Sequence, residues 1–315
     1  MRVQEAATTV RSMLTGSLLD EVSVLANAYD PALDEKITLR YPKRSLAQGS
    51  VVCVGLNTFM VMAVSGDGAE LSVLPSMDGG PHVAVPAGAI INLRPQFTTW
   101  AIVRELQSEI DAMSSRDTGL FAPVEFLFDS IDRHNGTYEI VFPAGPPDQP
   151  PIIPFRLLKA EYQVSGVDAW NTFTEAEFQQ SAMAVRVFSD PAAVVSYKFT
   201  LAVPFGKIVD LDTDLADIGI SNYLTDIPIY GAASTMAMGW EGRRTQPFAQ
   251  GDSRRSSEVA VSANSSLSRL FRLRQQEAIN EELSRLIGIY GWRQSQATGP
   301  TVIGYRNLGS WGGWR

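Results

Sequence analysis

The chain has 315 residues, 45% of them apolar and 19% charged, so it can bury more than one core and is not intrinsically disordered. Its formal net charge of −8 argues against a general nucleic-acid binder, because such proteins need an excess of cations to neutralise phosphates. The charge is uneven, since the residues from Tyr230 onward include 11 arginines, no lysine and 6 carboxylates. This end therefore carries +5, and residues 1–229 carry −13.

The single cysteine and the hydropathy pattern indicate where the protein is made. Cys53 lies in SVVCVGL, where its apolar neighbours predict a small buried side chain, and no disulfide can form within the chain. No apolar run approaches the length of a membrane span, and the N-terminus lacks the apolar core of a signal peptide. We therefore expect a protein without membrane contact that is made or assembled in a reducing cytoplasm.

The first third of the chain divides into a helical and a β segment. Residues 1–30 are expected to form an N-terminal helix, since apolar residues recur at spacings of three and four from residue 4 to residue 28. From residue 36 to residue 95 the apolar period changes to two, and Gly-rich turn sequences separate five candidate strands. These strands, ITLRY, SVVCVGL, TFMVMAV, ELSVLP and AIINLRP, predict a small β barrel.

A second helix and a second β segment follow. The helix is predicted over residues 97–115, with Thr98 or Thr99 as its N-cap. Residues 120–205 return to alternating apolar patterns, interrupted by the exposed proline-rich loop PAGPPDQPPIIP. The candidate strands VEFLF, TYEIVF, FRLLKAEYQV, MAVRVF and AVVSYKFTLAV predict a β-rich, sandwich-like module.

The last third is predicted to be helical over residues 206–291, with a helix of small residues from Ile229 to Trp240 and a long helix over 263–290. The apolar residues of the long helix recur at spacings of three and four and are Leu267, Leu270, Phe271, Ile279, Leu283, Leu286, Ile287 and Tyr290. Residues 292–315 are Gly-rich and form a predicted extended arm, whose aromatic side chains need the surface of another protein. These aromatic residues are Trp292, Tyr305, Trp311 and Trp314.

Together these elements predict an α+β protein. We expect the N-terminal, central and C-terminal helices to assemble into one helical bundle, with the small β barrel and the β-rich module inserted between them and the extended arm at the end.

No recognisable catalytic or cofactor motif occurs, so we predict no catalytic residue, no metal and no cofactor. The two histidines, His82 and His134, lie in turn sequences without a companion at ligand spacing. Nucleotide-binding glycine motifs and the GxSxG of serine hydrolases do not occur. Asp129 and Asp132 are the one candidate carboxylate pair for hydrolysis, although such loop residues are more often simply solvated.

The stretch DLDTDLADIG, residues 210–219, resembles a calcium-binding loop only in part. Asp210, Asp212 and Asp214 occupy the first, third and fifth positions of such a loop. However, Leu215 and Ser221 stand where the loop needs glycine and glutamate. The pattern favours carboxylates near a helix N-terminus over a calcium site.

The arginines of the basic end form the candidate interface. Arginine is preferred where a planar, bidentate contact with carboxylates is needed, and the +5 end of one copy complements the −13 body of the next. Such a contact joins two different surfaces and closes into a ring. A solvated loop and helix face remains the alternative. The residues are Arg243, Arg244, Arg254, Arg255, Arg269 and Arg272.

Two parts of the chain resemble a known family. IYGAASTMAMGWEGRR, QGDSRRSSEV and SSLSRLFRLRQQEAINEELSRLIGIYG are similar to the C-terminal helical region of head-to-tail adaptor (neck or connector) proteins of tailed bacteriophages. YDPALDEKITLRYPKRSLAQGS and the predicted barrel resemble the N-terminal part of actinobacterial-phage virion proteins of this kind. The resemblance covers roughly the first 115 and the last 90 residues, while residues 120–205 depart from it.

The resemblance implies a structural virion protein at the head-tail junction, assembled in the host cytoplasm. It implies a homo-oligomeric ring, usually twelvefold, that binds the portal protein and the next neck or tail protein. DNA would pass through the lumen without specific binding, and the family has no catalytic residues to carry over. A tail or baseplate component that binds host glycan is the alternative, and a β-rich hydrolase is a further one.

Overall fold

The structure, a computed structural model, describes eight stretches of the chain. These are residues 1–16, 21–31, 33–75, 78–115, 118–141, 153–188, 193–244 and 263–290. For residues 240–244 and 263–264 only the backbone is described.

The described residues contain four α-helices and thirteen strands. The helices are α1 (Val3–Thr15), α2 (Thr99–Met113), α3 (Asp226–Arg244) and α4 (Ala263–Tyr290). The strands are β1 (Glu21–Val24), β2 (Lys36–Thr38), β3 (Val51–Val54), β4 (Asn57–Val64), β5 (Glu70–Pro75), β6 (Ile90–Leu93), β7 (Ala122–Asp129), β8 (Thr137–Glu139), β9 (Arg156–Val164), β10 (Asn171–Phe173), β11 (Ala176–Gln179), β12 (Ala184–Val187) and β13 (Val194–Val203). They form three antiparallel sheets.

The expectation of a protein organised on a helical bundle is wrong, because the fold is β-rich and built on these three sheets. Part of the predicted helical content is turn and loop, since residues 206–225 contain no helix before α3 begins at Asp226. The helices also pack on the ends of strands, where Ala122, Leu158 and Val203 enter the same core as Val10 and Ile102. An apolar stripe on a helix shows that a surface is covered, but not that another helix covers it.

The N-terminal helix is shorter than predicted. It ends at Gly16, which has φ of 62° and donates its backbone N–H to the carbonyl of Ser12. Strand β1 follows and pairs with β6. Leu25 and Tyr29 continued the helical spacing in the sequence, but they are buried in the core of a sheet. The same few apolar positions fit both periods, so spacing alone placed this boundary wrongly.

The first sheet is a six-stranded half-barrel with the order β1, β6, β3, β4, β5, β2. All five strands predicted between residues 36 and 95 are confirmed as strands. An isolated bridge between Leu25 and Leu39 joins the chain beyond β1 to the chain beyond β2. In the turn between β4 and β5, Gly68 has φ of 78°, and a Cβ there would lie 2.8 Å from the backbone nitrogen of Arg44. Glycine is therefore required at this turn.

The second and third sheets pack face to face. One has the order β10, β9, β13, β7 and the other the order β11, β12, β8, and both contribute to one apolar core. The five predicted strands of this region are confirmed, whereas β10 and β11 were missed. Ala122, at the start of β7, lies opposite Val203, at the end of β13. The chain thus enters and leaves this two-sheet module at adjacent points.

Helix α3 is central to the helical layer and packs against α1, α2 and α4. Its middle is packed through small residues, with Ala232 and Ala233 fully buried and Gly231 beside them, after the larger Ile227 and Ile229 at its start. Thr98 caps α2, as predicted, by accepting a hydrogen bond from the backbone N–H of Ala101 at 3.2 Å. Because α3 carries small residues, α2 and α4 approach it closely, and their polar side chains can meet across it.

Candidate functional site

Helix α4 buries polar side chains where a packed helix usually buries apolar ones. Ser268, Gln275 and Glu282 recur at intervals of seven and are only 3–4% exposed. Among the apolar residues of α4, only Phe271 and Leu286 belong to the buried core. Seven residues are close to two helical turns, so the polar positions form one line along the inner side of the helix.

Each buried polar residue has a partner. Ser268 donates its hydroxyl to the backbone carbonyl of Ser234 of α3 at 2.9 Å. Ser234 in turn donates its hydroxyl to the backbone carbonyl of Ser268 at 3.0 Å. The carboxylate of Glu282 accepts two hydrogen bonds from Arg285, at 2.6 Å and 2.7 Å, and the Arg285 guanidinium lies over the ring of Tyr223. These pairs satisfy polar groups that would otherwise destabilise the packed helix.

The third buried position belongs to a cluster between α2 and α4. Gln275 donates its amide N–H to Glu109 at 2.7 Å, and Arg272 and Thr235 approach the same carboxylate at 3.4 Å. Arg272 also donates to the amide oxygen of Gln275. A Cβ at Gly231 would collide with both the Glu109 carboxylate and the Gln275 amide. The predicted interface residue Arg272 therefore also serves an internal contact, although its side chain remains 63% exposed.

The outer side of α4 presents leucines to solvent. Leu270 is 50% exposed and Leu273 is 63% exposed, and both lie one turn apart on the same face. Arg269 and Arg274 are exposed and flank them. Arg274 forms an intrahelical ion pair with Glu277 at 3.1 Å, with both side chains more than 60% exposed. We call Arg269, Leu270, Leu273 and Arg274 the leucine–arginine face.

This face corrects the predicted apolar stripe of the helix. Leu270 was expected on the packed side with Phe271, but it is half exposed. Leu273 was not among the predicted apolar positions, although it follows Leu270 by three residues. The other six predicted residues that pack against the core, Leu267, Phe271, Ile279, Leu283, Leu286 and Tyr290, agree with the expectation.

The remaining predicted interface residues are not brought together within the described part of the chain. Arg269 lies on α4, and Arg243 and Arg244 are the last residues of α3, where only the backbone is described. The others, Arg254, Arg255, Trp292, Tyr305, Trp311 and Trp314, lie outside the described residues. Their interface role stays a prediction.

Residues 209–217, which we call the acidic segment, form a second charged surface. Asp210 accepts hydrogen bonds from the backbone N–H and hydroxyl of Thr213, at 2.7 Å and 2.8 Å. The hydrogen bond from the backbone N–H of Ala216 and the bond from the terminal amine of Met1 lower the pKa of Asp214. These carboxylates hold the turn, and in the described stretches no three His, Cys, Asp or Glu side chains form a group that could hold a metal ion.

The other candidate residues have structural surroundings. Asp132 accepts a hydrogen bond from the backbone N–H of Asp129 at 3.0 Å and so caps a short 3-10 turn. His134 is exposed in a turn, where its backbone N–H and C=O both pair with Thr137. His82 is exposed as well. The described geometry around these residues is that of turns.

The solvent side of the two-sheet module carries a charged cluster. Glu161 lies between Lys159 at 2.7 Å and Lys198 at 3.0 Å. Burial raises the pKa of Glu161, but the hydrogen bonds from the two lysines outweigh burial, and the net pKa lies below its usual range. The Lys198 ammonium lies 4.9 Å from the centre of the Trp170 ring. A lysine thus already occupies one face of this aromatic ring.

Two further features, a cavity and a buried thiol, lie near the half-barrel. An open cavity of about 390 Å³ lies between the start of α2 and the later part of α3, lined by Trp100, Arg104, Met236 and other residues. Cys53 is fully buried in β3, as predicted. Burial raises the pKa of its thiol to about 11, despite a contact with the Thr58 hydroxyl at 3.7 Å. A buried thiol with this pKa stays protonated near neutral pH, and a protonated thiol is a poor nucleophile.

Comparison with known proteins adds no relative, since no protein-family model and no curated protein matches the chain. Among the helices of the described stretches, none combines the length and the apolar character that crossing a bilayer requires. Because no relative indicates a function, the proposal below depends on the surfaces of the described residues, mainly the leucine–arginine face and the acidic segment.

Proposed function

We propose that the protein is a structural subunit of the head-to-tail connector of a tailed bacteriophage. In this role it is an adaptor that assembles into a ring under the portal, joins capsid to tail and leaves a channel for DNA. The ring is proposed to be twelvefold, to contact the portal and the next neck or tail protein, and to carry no catalytic centre.

The observation that carries this proposal is the leucine–arginine face. Two leucines at least half exposed on adjacent turns of a long helix expose apolar surface that water solvates poorly. Arginines on both sides of exposed apolar residues are typical of protein interfaces, where they supply charged contacts around an apolar centre. A helix of 28 residues is about 42 Å long and can present this face to a neighbouring subunit.

The overall charge agrees with a channel that releases DNA. A formal net charge of −8 disfavours binding of a duplex, which suits a channel through which DNA passes without being held. The basic end offers arginines rather than lysines, which suits contacts with carboxylates of another protein. The resemblance of the first and last parts of the chain to phage adaptors supports the same role.

Native mass spectrometry of the full chain over a range of concentrations tests the proposal, alone and with the portal protein. We expect closed oligomers that become monomers when Leu270 and Leu273 are both changed to Ser. The loss of two apolar contacts at the centre of the interface should weaken association at least tenfold, which corresponds to about 1.4 kcal/mol.

The matched control is Asn280→Ala with Ser284→Ala, a pair of exposed polar residues further along α4. This control should assemble like the unchanged protein. Monomers at every concentration, both alone and with the portal, would argue decisively against a connector subunit. Circular dichroism of both variants shows whether α4 remains folded.

A further inference from the structure

We propose that the leucine–arginine face of one copy docks on the acidic segment of the next copy. This inference rests on the proposed function, because it names the surface that receives α4 in the ring. The partner is a second copy of the same chain, and the two surfaces differ, so the contact is heterologous and can propagate around a ring.

The acidic segment has the complementary charge. It carries Asp210, Asp212, Asp214 and Asp217, and Glu5 of α1 stands beside it, where it accepts a hydrogen bond from the backbone N–H of Arg2. The nearby cations are fewer. Arg2 lies 3.5 Å from Asp212, the terminal amine lies 3.2 Å from Asp214, and Lys207 precedes the segment. A negative surface with an 80% exposed carboxylate at Asp212 remains to receive arginines.

The acidic segment also offers apolar contact. Val209 is 66% exposed and directly precedes Asp210. The receiving surface therefore pairs an exposed valine with carboxylates, as the leucine–arginine face pairs exposed leucines with guanidiniums. Contact between two apolar surfaces removes both from water, and contact between opposite charges fixes how the two partners are oriented.

The acidic segment is held rigidly by the rest of the chain. The backbone N–H groups of Val3 and Gln4 donate to the carbonyls of Thr213 and Leu211, both at 3.0 Å. Leu215 returns a hydrogen bond to the carbonyl of Met1, also at 3.0 Å, and its side chain is buried. Docking on this segment therefore orders little additional backbone, which lowers the entropic cost of association.

Within the described part of the chain the two surfaces form no ion pair with each other. The acidic segment is joined to α1, and Arg2 and the terminal amine are the cations paired with its carboxylates. The leucine–arginine face lies on α4, where Arg274 pairs with Glu277. The exposed charges of the described surfaces are therefore available to a neighbouring copy.

Charge reversal with complementation tests the inference. One variant carries Arg269→Glu and Arg274→Glu, and the other carries Asp212→Arg and Asp217→Arg. Asp212 and Asp217 are chosen because neither side chain accepts one of the turn hydrogen bonds that Asp210 and Asp214 accept. Each variant alone juxtaposes like charges and should associate at least tenfold more weakly than the unchanged protein.

An equimolar mixture of the two variants should restore assembly. Every contact between unlike copies then joins opposite charges, so native mass spectrometry should show oligomers that contain both variants in equal number. An exposed-arginine control on the half-barrel, Arg40→Glu, should assemble normally. If reversal prevents folding, Asp212→Asn with Asp217→Asn should still weaken association and make it less sensitive to salt.

The outcomes separate this inference from the proposed function. If the α4 variant is monomeric but the Asp212 and Asp217 variant assembles normally, the receiving surface is wrong and the connector role stands. If both variants lose assembly but the mixture stays monomeric, the pairing of these two surfaces is also wrong. An unchanged protein that never self-associates removes both proposals.

Discussion

The half-barrel and helix α4 differ in which side chains they bury. The core of the half-barrel is formed entirely by residues 25–93, and Val52, Val61 and Leu71 within it are completely buried. Helix α4 instead buries Ser268, Gln275 and Glu282 and leaves Leu270 and Leu273 at least half exposed. The half-barrel thus builds its core from its own apolar side chains, whereas α4 buries polar side chains beside Phe271 and Leu286.

This difference shows which region is expected to fold independently of its neighbours and which is expected to bind them. The buried apolar core of the half-barrel contributes to the stability of the monomer. Polar positions on the inner side of α4 fix its register against α3 and α2 through specific hydrogen bonds. The leucines on its outer side are then free to contribute to association.

The largest expected effect is on the half-barrel. Phe59 is 1% exposed and packs edge-on against Tyr29, with ring centres 5.2 Å apart. Phe59→Ala should lower the free energy of unfolding by about 3–5 kcal/mol, because it removes a buried ring and leaves a cavity. Urea unfolding measures this change. Met62→Ala on the same strand, 41% exposed, is the control and should cost far less.

A smaller effect is expected at the polar line of α4. Gln275→Ala removes the 2.7 Å donor to the Glu109 carboxylate and should lower the free energy of unfolding by about 1–3 kcal/mol. The exposed neighbour Gln276, whose amide reaches Asn280 at 3.3 Å, provides the control as Gln276→Ala. Equal stabilities of the two variants in thermal unfolding would show that the polar line does not stabilise the packing of α4.

The buried thiol of the half-barrel gives a pH-dependent test. The pKa of Cys53 is raised from its ordinary 9.0 to about 11, so the folded protein keeps a proton that the unfolded chain loses. The contribution of the protonated thiol to the free energy of unfolding is fully present below pH 9 and is lost as the pH rises toward 11. Between these values the unchanged protein should lose about 1 kcal/mol per pH unit relative to Cys53→Val. Parallel pH curves for the two proteins would contradict a buried, protonated thiol.

The smallest effect on stability is expected at the leucine–arginine face. Leu273→Ser changes a side chain that is 63% exposed and should alter the free energy of unfolding of the monomer by less than about 0.5 kcal/mol. Its association should nevertheless weaken. A loss of stability comparable to that of Gln275→Ala, measured in the same urea series, would mean that the face is packed within the monomer.

The sequence predicted β2 to β6 of the half-barrel well, because each is a short apolar run bounded by turn sequences, and β4 pairs with both of its neighbours in sequence. It missed β10 and β11, which are three and four residues long and carry too few apolar positions for a period to be visible. It also extended the N-terminal helix into β1, since Leu25 and Tyr29 fit either period. Whether helices pack on helices or on sheets depends on contacts distant in the chain.

The candidate site was predictable only in part. Arg269 and Arg272 were assigned to an interface from charge alone, and the structure places both on α4. The internal contact of Arg272 with Glu109, 163 residues away in sequence, has no local signal. The exposure of Leu270 depends on the small residues of α3, which admit Gln275 and Ser268 to the inner side. Apolar periodicity found six of the eight packed positions that it predicted in α4, but it gave no sign of the buried polar residues between them.

The pairing of Ala122 with Val203 has an evolutionary consequence. Because both ends of the two-sheet module meet at neighbouring strands, an exchange of the module would leave its two chain ends side by side, but Ala122, Leu158 and Val203 would be removed from the core that they share with the helices. The module also has a core of its own, formed largely by Tyr138, Tyr197 and Phe199 with their neighbours. Related chains can therefore be expected to keep apolar residues at positions 122, 158 and 203 even where the rest of residues 120–205 differs.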